Sequence, residues 1–211
     1  MEILYLKSVD STHRYLQEYI KNNGYISPLA IFTSNQTNGI GSRDNLWHGE
    51  EGNFYLSFVI SKDKMPQDIQ IQSLSIYFSF ILKDLLKSLN SNVWLKWPND
   101  FYLEDKKIGG TITTISKDFI YCGIGINFKN LSNEFKSLDI NISNIELLDL
   151  YIIELEKYPS WKQIFSKYSI EFHYSKKFYA TVDNEKVSLK NSILNDDGSI
   201  QVDNKKVFSL R

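Results

Sequence analysis

Residues 93–127 read VWLKWPNDFYLEDKKIGGTITTISKDFIYCGIGIN. "VWLK" (93–96) is a β-prone run that ends at Pro98, and proline cannot donate to a sheet ladder. From 100 to 128, β-rich runs are divided by two polar turns, "EDKK" and "SKD", which predicts a three-stranded meander. Lys96 lies between Leu95 and Trp97, at the core boundary rather than on a solvated face. Such a lysine either snorkels to water or serves as a fixed cation for charge developing in a water-poor site, worth roughly 10²- to 10³-fold in rate. In "GIGIN" (123–127) the alternating glycines weaken the strand and mark a bulge or the close approach of a ligand. Asn127 then either closes the strand or offers a free amide to a base edge.

Working outward, "EILYLK" (2–7), "LAIFT" (29–33) and "GNFYLSFVI" (52–60) read as strands. Asp10 or Ser11 caps a helix that carries Tyr15, Leu16, Tyr19 and Ile20 on one side and ends near Gly24. Residues 66–90 show a helical period, with Pro66 near the start, and Pro159 divides two further helical segments, 144–158 and 160–174. From Lys176 short β-prone runs alternate with "DNE", "NDDG" and "DNKK", a small all-β module of about four strands. Strands and helices are interspersed and most neighbouring strands read as antiparallel. The class is therefore α+β, with a main domain at 1–174 and a small one at 175–211.

The net charge is −1 over 211 residues, so no bulk field draws in nucleic acid or an anionic membrane. An anion must be met by a local cluster. One cysteine, Cys122, excludes an internal disulfide and fits a reducing compartment. No signal-peptide pattern opens the chain, and the most apolar run, "IYFSFILKDLL", is too short to span a bilayer; a cytoplasmic location is expected. His13, His48 and His173 lack metal-ligand spacing, and no metal site is assigned. P-loop, dinucleotide fingerprint and nucleophile elbow are all absent.

Two polar stretches complete the set. "DST" (10–12) is either a plain helix cap or a pair of hydroxyls beside a helix N-terminus, suited to a polar ligand atom. "QTNGIGSRDNLW" (36–47) lies in a segment, 34–51, that reads as about 18 residues without regular structure, a length uncommon in a compact domain unless functional or mobile. Gly39 and Gly41 permit close backbone approach to a ligand. Trp47 is a packing residue or a cover for an aromatic base.

In chain order the motifs are S-T, Q-T-x-G-x-G-x-R…W, K-W-P-N-D, K-x-G-G and G-I-G-I-N. Together they resemble the biotin protein ligase family along nearly the whole chain. The resemblance implies a class II aminoacyl-tRNA-synthetase-like catalytic domain and a small SH3-like β-barrel at the C-terminus. It implies condensation of biotin with ATP to biotinyl-5′-AMP, with Mg²⁺, and transfer of biotin to a lysine of a biotin carboxyl carrier protein. By matching position, Ser11, Thr12 and Gln36 would hold the ureido head, while the Gly39–Gly41 backbone and Gly110 lie along the ligand. Lys96 would contact the biotin carboxylate and the α-phosphate. Trp47 would flank the adenine and Asn127 would hydrogen-bond it.

The departures are in the loop. Where the family commonly reads G-R-G-R, this chain has Ile40 and Ser42 in the arginine positions, and Arg43 is expected to take over adenylate retention from a shifted place. His13 stands where the family commonly has Asn, and no role is assigned to it. The catalytic strand begins at residue 2, so a monofunctional enzyme without operator DNA binding is expected, with a homodimer left open. Two alternatives remain: a lipoate or octanoate ligase or transferase of the same superfamily, and a non-catalytic binding module.

Overall fold

The computed structural model describes residues 1–25, 28–41, 46, 47, 49–129, 136–182, 185–202 and 205–208, Leu46 by its backbone alone. The chain opens with β1 (Glu2–Tyr5), α1 (Thr12–Asn23) and β2 (Leu29–Thr33). A two-residue pair follows, β3 (Gly39–Ile40) and β4 (Leu46–Trp47), then β5 (Phe54–Ser61) and α2 (Leu74–Ser88). Next come β6 (Trp94–Lys96), β7 (Asp100–Leu103), β8 (Lys106–Ser116) and β9 (Phe119–Ile126). Two helices, α3 (Asn144–Leu155) and α4 (Trp161–Glu171), precede five short strands: β10 (Tyr179–Val182), β11 (Glu185–Ser188), β12 (Ile193–Leu194), β13 (Ile200–Val202) and β14 (Lys205–Val207).

Seven strands form one sheet in the order β1-β2-β5-β9-β8-β7-β6. Only β1–β2 is parallel; the other pairs, including the expected β7–β8–β9 meander, are antiparallel. Side chains alternate across the strands, and the two faces bury different partners. Phe54, Leu56, Phe58, Ile60, Cys122, Ile124 and Ile126 face the main core with α2, α3 and α4. Phe58 meets Phe78 of α2 edge-on, with ring centroids 5.1 Å apart. On the opposite face Leu29, Ile31, Val59 and Tyr121 pack beneath Leu16 and Ile20 of α1.

Three expectations change. The helix expected over 66–90 begins only at Leu74, after a 3-10 turn at Ile71–Ser73. The reason is tertiary: the Asp68 carboxylate accepts from the Trp161 and Lys162 N–H groups, both at 3.0 Å, so this segment caps α4 instead of extending α2. The 34–51 segment is not wholly irregular, because β3 pairs with β4. The C-terminal region has five short strands in a two-stranded and a three-stranded sheet, with no closed barrel among the described residues. Its Ala180, Val182, Leu189, Ile200, Val202 and Val207 belong to the main core cluster.

Candidate active site

Helix α1 covers only part of its sheet face. Its Leu16 and Ile20 sit over Leu29, Ile31, Val59 and Tyr121. Beyond its N-terminus the same face continues through Ser57 opposite Gly123 and Tyr55 opposite Gly125, with Gly110 opposite Gly125 on the next strand. Residues directly opposite one another share a face. Where a helix would need large side chains to pack on, this sheet offers glycine.

The head of this trough is built at the start of α1. Ser11 is the N-cap, its side chain accepting from the Arg14 N–H, and it is buried. The Thr12 N–H donates to Gln36 Oε1 at 2.9 Å and its hydroxyl lies 3.1 Å from the same oxygen. Thr12 Oγ1 is also 2.8 Å from Ser57 Oγ. A backbone donor thus fixes which way the Gln36 amide points, and its Nε2 makes no hydrogen bond among the described residues. Gly39 makes room here: a Cβ would overlap Gln36 Nε2 and stand 3.0 Å from Trp47 Cβ and O. The side chains gathered here among the described residues, Ser11, Thr12, Gln36 and Ser57, are uncharged, which suits a neutral hydrogen-bonding ligand.

Gly39 pairs with Trp47, which carries the site toward its other end. The indole lies over Gly125, where a Cβ would stand 2.9 Å from Cε2 and Cζ2. Lys107 Nζ is 5.5 Å from the Trp47 ring centroid. Asn127 Oδ1 is buried with no hydrogen-bond partner among the described residues. Asn127 has its backbone occupied at both atoms, by Ile108 O and by the Leu138 N–H, which fixes where its side chain starts.

Lys96 ends β6 with its side chain only 13% exposed. The meander register sets Asp100 beside it, yet Asp100 is drawn mainly to Lys107, at 2.6 Å against 3.9 Å for Lys96. The nearest remaining acceptor for Lys96 Nζ is Tyr102 OH at 3.5 Å. The aromatic rings of Tyr102 and Phe178 lie 5.2 and 5.8 Å away. Burial lowers the Lys96 pKa below the ordinary lysine value; Asp100 pulls it back up, and Lys107 and Lys186 push it further down. An under-partnered, partly desolvated ammonium of this kind binds an incoming anion strongly.

Strand β6 is a sheet edge, and its outward N–H groups are taken by side chains: Leu95 N–H by Glu171 Oε1 at 3.0 Å, Trp97 N–H by Ser175 Oγ at 3.0 Å. Glu171 is itself ion-paired with buried Lys83. The Trp97–Pro98 bond is cis.

Ser11, Thr12, Gln36 and Gly39 therefore come together at one end, and Trp47, Lys96 and Gly110 line the continuation, with Asn127 just past β9. Gly41 is half-buried one residue after β3. Arg43 and Ser42 lie outside the described residues. Sequence reasoning missed Tyr102, Phe178 and the ionic role of Asp100. The meander register could have paired Asp100 with Lys96; nothing local points to Phe178, which is contributed from far along the chain.

A sheet partly covered by a helix, with uncharged hydrogen-bonding side chains at one end and a largely buried lysine at the other, forms a trough with one neutral and one cationic end. The chain belongs to the biotin/lipoate A/B protein ligase family, whose model matches residues 5–127. It is similar to the biotin acetyl coenzyme A carboxylase synthetase of Helicobacter pylori, solved with bound biotinylated ATP: 38% identity, 98% of this chain and 99% of that one covered, TM-score 0.92. It is also similar to the bifunctional ligase/repressor BirA of Bacillus spizizenii (26% identical over 143 residues) and of Escherichia coli (31% over 129). These matches take in 63% and 58% of this chain and 42% and 39% of the two relatives, so the chain spans about two fifths of the length of these two relatives.

Proposed function

We propose that the chain is an ATP-dependent biotin protein ligase that forms biotinyl-5′-AMP and transfers biotin to a lysine of a biotin carboxyl carrier protein. The observation that carries this reading is the likeness, along almost the full length of both chains, to the Helicobacter pylori enzyme. The chemistry of the site agrees. A ureido ring is neutral, with a carbonyl acceptor and N–H donors, and meets the hydroxyls of Ser11 and Thr12 and the Gln36 amide nitrogen. The bicycle lies along Gly39–Gly41 and the glycine-bared sheet.

Adenylation brings a carboxylate to a triphosphate, two anions that repel. Lys96 lies where the acid end arrives and offsets part of that repulsion. A carboxylate oxygen attacks the α-phosphorus, the bond to the bridging oxygen breaks, and pyrophosphate leaves. The acceptor amine then attacks the acyl carbon, loses its proton to water and expels AMP. Trp47 flanks the adenine, Asn127 reads its edge, and Arg43 helps retain the adenylate. Among the described residues no group of three or more His, Cys, Asp or Glu is placed to hold a metal ion. Mg²⁺ would enter this reading with the triphosphate and would offset part of its charge. Residues 1–174 form the catalytic part in this reading, and 175–211 an SH3-like cap.

Calorimetric titration tests the ligand. Biotin is expected to bind and ATP to follow, with lipoate much weaker because its head has no hydrogen-bonding group for Gln36. Preference for lipoate, or no binding of either acid, overturns the reading.

A further inference from the structure

Strands β5 and β9 pair from Phe54 opposite Ile126 onward, so Asn53 and Asn127 stand one residue past the last rung. Asn53 is fully buried. Its side-chain oxygen accepts from the Phe128 N–H at 2.8 Å and from the Lys129 N–H at 3.1 Å. A carbonyl oxygen has two lone pairs, and two donors meet it here. Peptide groups are planar. Asn53 holds the Phe128 N–H and Leu138 N–H holds the Asn127 carbonyl, at 2.8 Å, so the peptide after Asn127 is fixed. Ile108 O fixes the peptide before it, at 2.7 Å. With both neighbouring peptides held, the direction in which the Asn127 side chain leaves the backbone is set.

Asn53 is itself anchored where the 34–51 segment rejoins the sheet. Its N–H donates to Glu50 O at 3.3 Å, and Asn144 Nδ2 donates to Gly52 O at 3.0 Å. Lys129 Nζ reaches back to Glu51 O at 2.8 Å. It crosses Gly52, where φ is +100° and a Cβ would stand 2.7 Å from Lys129 Cε. The Tyr55 hydroxyl donates to Glu50 O at 3.2 Å, three residues after Trp47. One buried carboxamide thus joins the end of the segment that carries Trp47 to the strand exit that carries Asn127. We propose that Asn53 is a positioning residue for the nucleotide end of the site, and that its carboxamide sets the Asn127 side chain against the adenine edge. The inference rests on the ligase reading given above. Asn53 touches no substrate in it and acts through Asn127.

The test compares ATP with the triphosphate of purine riboside, which lacks the exocyclic amine. Biotin-dependent pyrophosphate release is followed at saturating biotin in wild type, Asn53→Ala and Asn53→Asp. The ratio of kcat/KM for the two nucleotides does not depend on the folded fraction, and a charge added at 53 acts on both alike. Wild type is expected to prefer ATP by about tenfold, the size of one hydrogen bond. Asn53→Ala releases both N–H groups and should bring that preference below about threefold. Its biotin Kd should stay unchanged, because the ureido head lies at the other end of the trough. Asn53→Asp keeps the accepting oxygen and should keep the wild-type preference. Asn53→Ser is too short to reach both N–H groups; it should behave as Asn53→Ala and replaces it where alanine prevents folding. Undiminished preference in the alanine or serine variant, equal loss in Asn53→Asp, or a biotin Kd that rises in step overturns the proposal. So does a wild type that uses both nucleotides equally. A wild type that releases no pyrophosphate with biotin and ATP would instead overturn the ligase reading itself.

Discussion

At the scale of single residues, burial sets the chemistry. Burial lowers the His13 pKa from 6.5 to about 4. The unfolded chain therefore takes up a proton as pH falls through 6.5, while the folded chain does not until near 4. Stability contributed by this residue is full above about pH 7 and declines between those values, by roughly 3 kcal/mol in all. The prediction is read as a difference: denaturant unfolding of wild type minus His13→Leu should be flat above neutrality and fall toward pH 4. Parallel profiles would contradict it. The sequence marked Ser11, Thr12, Gln36, Lys96 and Asn127 as candidates, because each sits in a short motif with a chemical reason. The burial of His13 Nδ1 without a partner among the described residues was not legible there. It depends on which ring nitrogen Gln17 and Thr114 occupy, and Thr114 arrives from the far end of β8.

At the scale of elements, the turn at 195–198 ties the C-terminal strands to the site. Three side chains hold its carbonyls: Trp161 Nε1 to Asp196 O at 2.7 Å, Ser73 Oγ to Asp197 O at 2.6 Å and Trp97 Nε1 to Gly198 O at 2.8 Å. Trp97 directly follows Lys96, so the turn steadies the strand end that carries the lysine. Gly198 has φ +75°, and a Cβ there would stand 2.7 Å from Ile76 Cδ1. Gly198→Ala should cost about 1–3 kcal/mol from the backbone conformation alone, seen as a lower urea midpoint with an unchanged slope. An unchanged midpoint would refute the role given to this turn. The "NDDG" turn itself is plain in the sequence. What grips it is not, since Ser73, Trp97 and Trp161 are distant in the chain. The late start of α2 has the same origin: Asp68 serves α4, a demand that local periodicity does not carry.

At the scale of the whole molecule, the two sheet faces divide the labour. One face packs against α2, α3 and α4; the other is covered in part by α1 and continues past it through Tyr55, Ser57, Gly110, Gly123 and Gly125. The β7–β8–β9 meander follows from the turn chemistry of 93–127, which is why that part of the sheet could be read early; the order of the other strands rests on pairings between segments distant in the chain. The two small C-terminal sheets were harder to anticipate, because their strands are short and lean on the main core for burial. The central claim is that Lys96 is the cation of an ATP-dependent biotin transfer. It is tested by following ATP-dependent biotinylation of a carrier domain by wild type and by Lys96→Ala, with Tm as the check on folding. The account predicts transfer by wild type and a loss of roughly 10²- to 10³-fold in the variant at unchanged Tm. Transfer by a folded Lys96→Ala protein at the wild-type rate would contradict it.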